Sequence, residues 1–134
     1  VQGVKVLLTP TLSTPTNKGG KRMKKVECIV RPSSIEELIV AAENLGVNGL
    51  NITQIAGYGK QKGATNIYRG VEYEVKLKEK LKVEIVIEED KVEPLVNAIM
   101  EAVRTDEVGD GKIFIYPIEE TIRIRTGEKG IKAI

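Results

Sequence analysis

Leu81-Lys-Val-Glu-Ile-Val-Ile-Glu88, continuing into Glu89-Asp-Lys-Val-Glu-Pro-Leu-Val-Asn-Ala-Ile-Met-Glu-Ala-Val103, carries the pattern on which the fold turns. Leu81, Val83, Ile85 and Ile87 alternate with Lys82, Glu84, Val86 and Glu88, the period of two expected for a strand with one face on a core. Beyond Glu88 the period changes. Val92, Leu95, Val96, Ile99, Met100 and Val103 recur at intervals of three and four, which predicts a helix with that face inward. Asp90 and Glu93 stand at capping-box spacing and predict where it starts. The same unit occurs upstream. Val26, Cys28 and Val30 alternate along a first strand, and Pro32 ends it. Ser34 and Glu37 repeat the capping-box spacing, Ile35, Leu38, Ile39, Ala42 and Leu45 share a helical face, and Gly46 fits the stop.

Strands at about 49–57 and Lys112–Tyr116 complete the order βαββαβ. The predicted class is α+β, a ferredoxin-like split βαβ sandwich. Both helices would cover one face of the sheet. The other face is not uniformly polar, which argues for oligomerisation.

The chain has 134 residues and a mass of 14.7 kDa, enough for one domain with its own core. It contains no His and a single Cys, so a Cys/His zinc site, a disulfide framework and a His-dependent triad are excluded. No apolar run approaches the ~18 residues of a membrane-spanning helix. A net charge of +2 argues against a nucleic-acid coat protein. Lys5, Lys18, Lys21 and Arg22 are the only charges in residues 1–22, which leaves 23–134 at −2. Thr9–Asn17 is rich in Pro, Ser and Thr and leads to Gly19-Gly20, a linker composition. Met23 looks like a natural start. Residues 1–22 are therefore expected to be an extension, a tag, linker or non-native segment, ahead of a domain at 23–134.

Three features could carry chemistry. Thr105–Lys112 ends in Gly109-Asp-Gly-Lys112, which reads either as a turn or as a phosphate cradle with Lys112 supplying charge. Arg123 and Arg125 alternate with Ile122 and Ile124. In an extended strand the two guanidinia would share a face and suit a polyphosphate, or would simply be a solvated face. The stretch between the two central strands, about 58–79, is too long for a hairpin loop and is expected to project with Lys60, Lys62 and Arg69. Gly57, Gly59 and Gly63 loosen its base, and Tyr68 and Tyr73 on such a segment suggest recognition. Cys28 alternates with valines and reads as core.

Taken together, Gly57-Tyr-Gly-Lys-Gln-Lys-Gly63, Tyr68-Arg-Gly-Val-Glu-Tyr73, Gly109-Asp-Gly-Lys-Ile-Phe114 and Ile122-Arg-Ile-Arg-Thr-Gly-Glu128 resemble the PII nitrogen-regulatory signal-transduction family. The resemblance runs from Met23 to Ile134 and implies a cytoplasmic homotrimer with a T-loop at about 58–77 and a B-loop at about 105–112. It implies ATP or ADP in a cleft between subunits. Gly109, Asp110, Gly111 and Lys112 would hold phosphates from one side, and Arg123 and Arg125 would reach in from the neighbour. Ile29, Asn51, Glu84 and Val86 match the adenine pocket, with Gly57, Gly59 and Lys60 close by. With ATP, Mg2+ and 2-oxoglutarate would bind at the T-loop base, Gln61 on the metal, with Arg31, Lys62, Gly63 and Lys80 near the keto acid. Tyr68, Arg69 and Tyr73 match the partner-docking tip, and Tyr73 matches a uridylylated tyrosine. The implied partners are ammonium transporters or nitrogen-metabolism enzymes, with membrane association only through a channel and no nucleic acid.

Some positions depart from the family's pattern. Asp106-Glu107 replaces a Gly-Lys pair, Ser33-Ser34 a Phe-Lys, Ala64 a His and Leu77-Lys78-Glu79 a Phe-Leu-Pro. Two carboxylates near phosphates are expected to weaken nucleotide binding or alter the ATP/ADP preference. Val71 stands where some members carry a phosphorylated serine. The function expected is a non-enzymatic sensor of nitrogen, carbon and energy status. Two alternatives share the residues: a small nucleotide hydrolase built on Gly109–Lys112, where no residue is an obvious general base and Asp110 is the one left open, and a ferredoxin-like RNA-binding module.

Overall fold

The computed structural model of the chain describes residues 22–58, 65–68, 71–74 and 77–134. In chain order the elements are β1 (Met23–Val30), α1 (Ile35–Asn44), β2 (Asn51–Tyr58), β3 (Thr65–Tyr68), β4 (Val71–Glu74), β5 (Leu77–Glu88), α2 (Val92–Val103) and β6 (Lys112–Ile118). Four strands form one antiparallel sheet in the order β2-β5-β1-β6, and β3 and β4 pair with each other in a second, two-stranded sheet. That is the expected ferredoxin-like arrangement.

The alternation seen in sequence sorts the two faces. Val26, Cys28 and Val30 of β1 and Val83, Ile85 and Ile87 of β5 lie under the helices and are buried. Leu38 and Ala42 of α1 and Leu95 and Ile99 of α2 close over them. Each full burial of such a side chain stabilises by roughly 1.5–3 kcal/mol. Met100, placed inward by its spacing, is instead 41% exposed and lines an open cleft with Ile113 and Ile115 of edge strand β6. The opposite face carries Lys80, Lys82, Glu84 and Val86 of β5 beside Ile29, Phe114 and Tyr116. Phe114 and Tyr116 are 43% and 40% exposed, so this face is mixed and open, as the sequence suggested.

The capping box predicted at Ser34 does not form. Pro32–Ser34 and Glu89–Lys91 are single 3-10 turns that feed α1 and α2, and neither helix has a side-chain hydrogen bond at its N-cap. Pro32 starts the first turn by fixing its own φ and keeping Arg31 extended at ψ 146. Ser34 then has helical dihedrals, unlike the extended conformation a capping serine adopts.

Within the long segment the described residues are strand. β2 and β5 run on past the core to the Tyr58–Leu77 pair, and Thr65–Tyr68 with Val71–Glu74 form a second, small hairpin. Tyr68 pairs with Val71 and Tyr73 with Asn66 in its backbone register. The expectations for residues 1–21, and for Gly59, Lys60, Gln61, Lys62, Gly63, Ala64 and Arg69, lie outside the described residues.

Candidate functional site

The connection from α2 to β6 is built around one carboxylate. Asp110 accepts hydrogen bonds from the Thr105 backbone N–H at 2.7 Å, the Asp106 N–H at 2.8 Å and the Thr105 hydroxyl. Arg31, at the end of β1, donates Nη1 to Asp110 Oδ1 at 2.7 Å and Nη2 to the Val108 carbonyl at 2.9 Å. Lys80 of β5 donates to the Gly109 carbonyl at 3.0 Å. Thr105 above all, then Arg31, holds the Asp110 carboxyl far below the usual carboxylate range. A carboxylate so engaged is a poor proton acceptor, and its hydrogen bonds are spent on organising the loop.

Lys80 is shifted downward as well, but for a lysine that disfavours the charged form. Burial, with Arg31 and Lys78 nearby, pushes its ammonium below the ordinary lysine value. Two cations, Arg31 and Lys80, thus converge on one turn of backbone, an arrangement that an anionic ligand would relieve.

Glycine is required where the loop enters β6. Gly111 has φ +111, and a Cβ there would lie 1.9 Å from the Ile29 carbonyl oxygen. Gly109 has φ +103 and runs against the Arg31 guanidinium. Asp106 adopts φ +68 without being glycine, and its carboxylate is paired with Arg104 Nε at 2.8 Å. The pair is solvent-exposed, so it offsets the carboxylate's charge only weakly.

A second cluster lies at the other end of the open face. Asn51 and Glu84 are register partners on β2 and β5, and with Val86, Lys25 and Leu50 they line a cleft of about 610 Å3. Lys25 approaches Glu84 at 3.1 Å and Glu27 at 3.8 Å and sits 4.6 Å from the centre of the Tyr116 ring. Ile29 lies on β1 opposite Lys82 and Lys112, between the two clusters, and is half-buried. Gly57 pairs with Lys78 and packs on the Lys80 side chain.

Arg123 and Arg125 do not share the face of a strand. The chain folds back as a tight hairpin in which Ile122 bridges to Lys129 and Arg123 N–H bonds the Glu128 carbonyl at 2.9 Å. Arg125 falls in the turn and Ile124 is 98% exposed. Gly127, at φ +75, permits the reversal that strand alternation could not reveal. Cys28 is core as expected, and burial pushes its thiol up to about 12.

The structure brings together Arg31, Lys80 and Gly109–Asp110, residues named from the sequence, and adds two that were not singled out, Thr105, which fastens the loop, and Lys25, which holds Glu84. Neither has a periodic signal. Both act through contacts between distant segments.

Among the described residues no group of three or more His, Cys, Asp or Glu side chains could hold a metal ion, and no helix is long and apolar enough to cross a membrane. Residues 23–128 match the family described as "Nitrogen regulatory protein P-II". The protein of that name from Microchaete diplosiphon is 51% identical over 112 residues, covering 84% of this chain and all of the relative, and that from Azospirillum brasilense is 47% identical over the same share. Among solved structures, Arabidopsis thaliana PII bound to citrate superposes with a TM-score of 0.70 at 38% identity, covering 87% of this chain and 95% of the other. The B. subtilis GlnK–ATP complex gives 0.70 at 35% identity, covering 84% and 96%.

Proposed function

The chain belongs to the nitrogen regulatory protein P-II family, a family of signalling proteins rather than enzymes, and from that premise we propose that it senses ATP or ADP together with 2-oxoglutarate and acts on targets through residues 58–77. The observation that supports this most is the convergence of Arg31 and Lys80 on Gly109 and Asp110. Lys80 and Glu84 lie on one face of β5, four residues and about 13 Å apart, between the loop and the Asn51–Glu84–Val86 cleft. An adenine nucleotide lying along that face would set its base in the cleft and its phosphates at the loop. Lys112 stands at the start of β6, on the same face as Ile29. Arg123 and Arg125 would add charge from a neighbouring subunit of a homotrimer, whose contacts would also cover Phe114 and Tyr116.

The relatives' ligands fit this chemistry. One solved relative holds ATP, and another holds citrate, which like 2-oxoglutarate is a multiply charged carboxylate. With no carboxylate cluster among the described residues, a Mg2+ ion would be held chiefly by phosphate and keto-acid oxygens, with Gln61 as the protein's contribution. It would offset the repulsion between the two anions. Arg31 and Lys80, with Lys62 and Gly63, would take the keto acid. The hairpin bearing Tyr68, Arg69 and Tyr73 would meet the partner, an ammonium transporter or a nitrogen-metabolism enzyme, in the cytoplasm.

Calorimetric titration with ATP tests the nucleotide site. Arg123→Ala or Arg125→Ala should weaken ATP by about 1.5–3 kcal/mol, the range for charge-assisted hydrogen bonds. Mixing Arg123→Ala chains with Lys112→Ala chains should restore some intact clefts, because the two residues would come from different subunits. Unchanged affinity in both arginine variants would count against the assignment.

A further inference from the structure

The hairpin at 121–130 holds an ion pair whose role the nucleotide reading leaves open. Its frame is set by three backbone bonds: Arg123 N–H to Glu128 O, Gly127 N–H to Arg123 O, and Gly130 N–H to Thr121 O. On that frame Glu128 Oε1 accepts from Arg123 Nη1 at 3.1 Å and from the Thr126 hydroxyl at 3.1 Å. The Thr126 oxygen in turn accepts the Glu128 N–H at 3.2 Å. Arg123 Nη2 reaches the backbone oxygen of Ile134 at 3.4 Å, and Ile134 lines the cleft shared by Asn51, Glu84 and Val86.

We propose that Glu128, itself oriented by Thr126, is a positioning residue that fixes the Arg123 guanidinium for a nucleotide phosphate. This rests on the reading of Arg123 as a phosphate contact. Both partners are partly exposed, with side-chain accessibilities of 38% and 43%, so the pair contributes little to folding. Its effect is on orientation. An arginine side chain has many rotamers, and holding one nitrogen on a carboxylate removes most of that freedom before the ligand arrives. The guanidinium still has N–H donors to spare, because Glu128 engages only Nη1. Arg125, exposed in the turn, has no comparable clamp among the described residues.

The test is a double-mutant cycle on the full chain, read as ATP affinity with thermal midpoints alongside. Glu128→Gln should weaken ATP by about tenfold, the scale of one charge-assisted hydrogen bond, with the midpoint unchanged. In an Arg123→Ala background the same change should cost nothing more. Thr126→Val, which keeps the volume and loses the hydroxyl, should give a smaller loss of the same kind, and serves if Glu128→Gln does not fold. ATP affinity that is unchanged or tighter in Glu128→Gln, or losses that add fully in the double variant, would overturn the inference. If Arg123→Ala leaves ATP binding intact, the nucleotide role of Arg123 fails, and the positioning role with it. If Arg123→Ala weakens ATP and Glu128→Gln does not, the positioning role alone fails.

Discussion

Arg31 Nη1 lies 2.7 Å from Asp110 Oδ1, joining the end of the first strand to the loop before the last one across 79 residues of chain. The contact ties the loop's shape to the sheet. Because Lys80 grips Gly109 on the same turn, the loop is fastened at once to β1 and to the strand returning from the long hairpin. A ligand that moved this loop would be felt at residue 80 and beyond.

Acid should spare this loop longer than it spares ordinary carboxylate contacts. Asp110 is depressed in the folded chain, so its stabilising contribution is complete above the unfolded value of about 3.9 and is lost only as pH falls through the lower folded value. The Thr105 and Asp106 amides should stay protected from exchange at about pH 3. Loss of protection between about pH 5 and 3, centred on the ordinary value of about 3.9, would show that Asp110 is not held as described.

Gly111→Ala should be far more damaging than Gly46→Ala. Both glycines have positive φ, +111 and +86, so both changes carry the left-handed penalty of about 1–2 kcal/mol. At Gly46 a Cβ meets nothing within 4 Å, whereas at Gly111 it would strike the Ile29 carbonyl. Thermal melts of the two variants isolate the steric part. Equal midpoints would mean that β6 can shift to accept a methyl group.

Position 106 should tolerate Gly and Asn and reject Val. Asp visits left-handed backbone at modest cost, and its ion pair with Arg104 is too exposed to matter much. A β-branched residue at φ +68 should destabilise by about 1–2 kcal/mol in urea unfolding, with Gly within about 0.5 kcal/mol of the parent. A neutral Asp106→Val would contradict the backbone conformation.

The helices and strands β1 and β5 were legible because burial repeats with their period, whereas β2 and β6, mostly exposed, were read from their apolar and β-branched composition. Val83, Ile85 and Ile87 declare a face without any knowledge of what covers it. What was not legible depends on one residue or on distant pairs. Ser34 and Glu37 have cap spacing, but Pro32 places a 3-10 turn there instead. Arg123 and Arg125 alternate like strand residues, and Gly127 turns them into a hairpin. Thr105 and Lys25 gain their roles only when Asp110 and Glu84 are brought to them. Glycine and charge pointed to the 109–112 stretch and the family resemblance to Arg31 and Lys80; the contacts that fasten them could not be read from either.

Partner docking is predicted to depend on Arg69, next to the β3–β4 pairing. Arginine favours desolvated recognition contacts, so Arg69→Glu should remove binding to a channel partner in native membranes while nucleotide affinity stays unchanged. Normal membrane binding by that variant would refute docking through this residue. Mass spectrometry of Tyr73 from nitrogen-starved cells tests the covalent switch separately, with a uridylyl adduct as the expected result.

The central claim is that a nucleotide and a keto acid are read together at the junction of the long hairpin and the 105–112 loop. The most direct measurement is calorimetry of 2-oxoglutarate binding with ATP and Mg2+ against ADP, on the parent chain and on Gln61→Ala. The account predicts keto-acid binding with ATP and Mg2+, little or none with ADP, and its loss in Gln61→Ala with ADP affinity retained. Binding that is equal with both nucleotides, or absent with ATP and Mg2+, would contradict it.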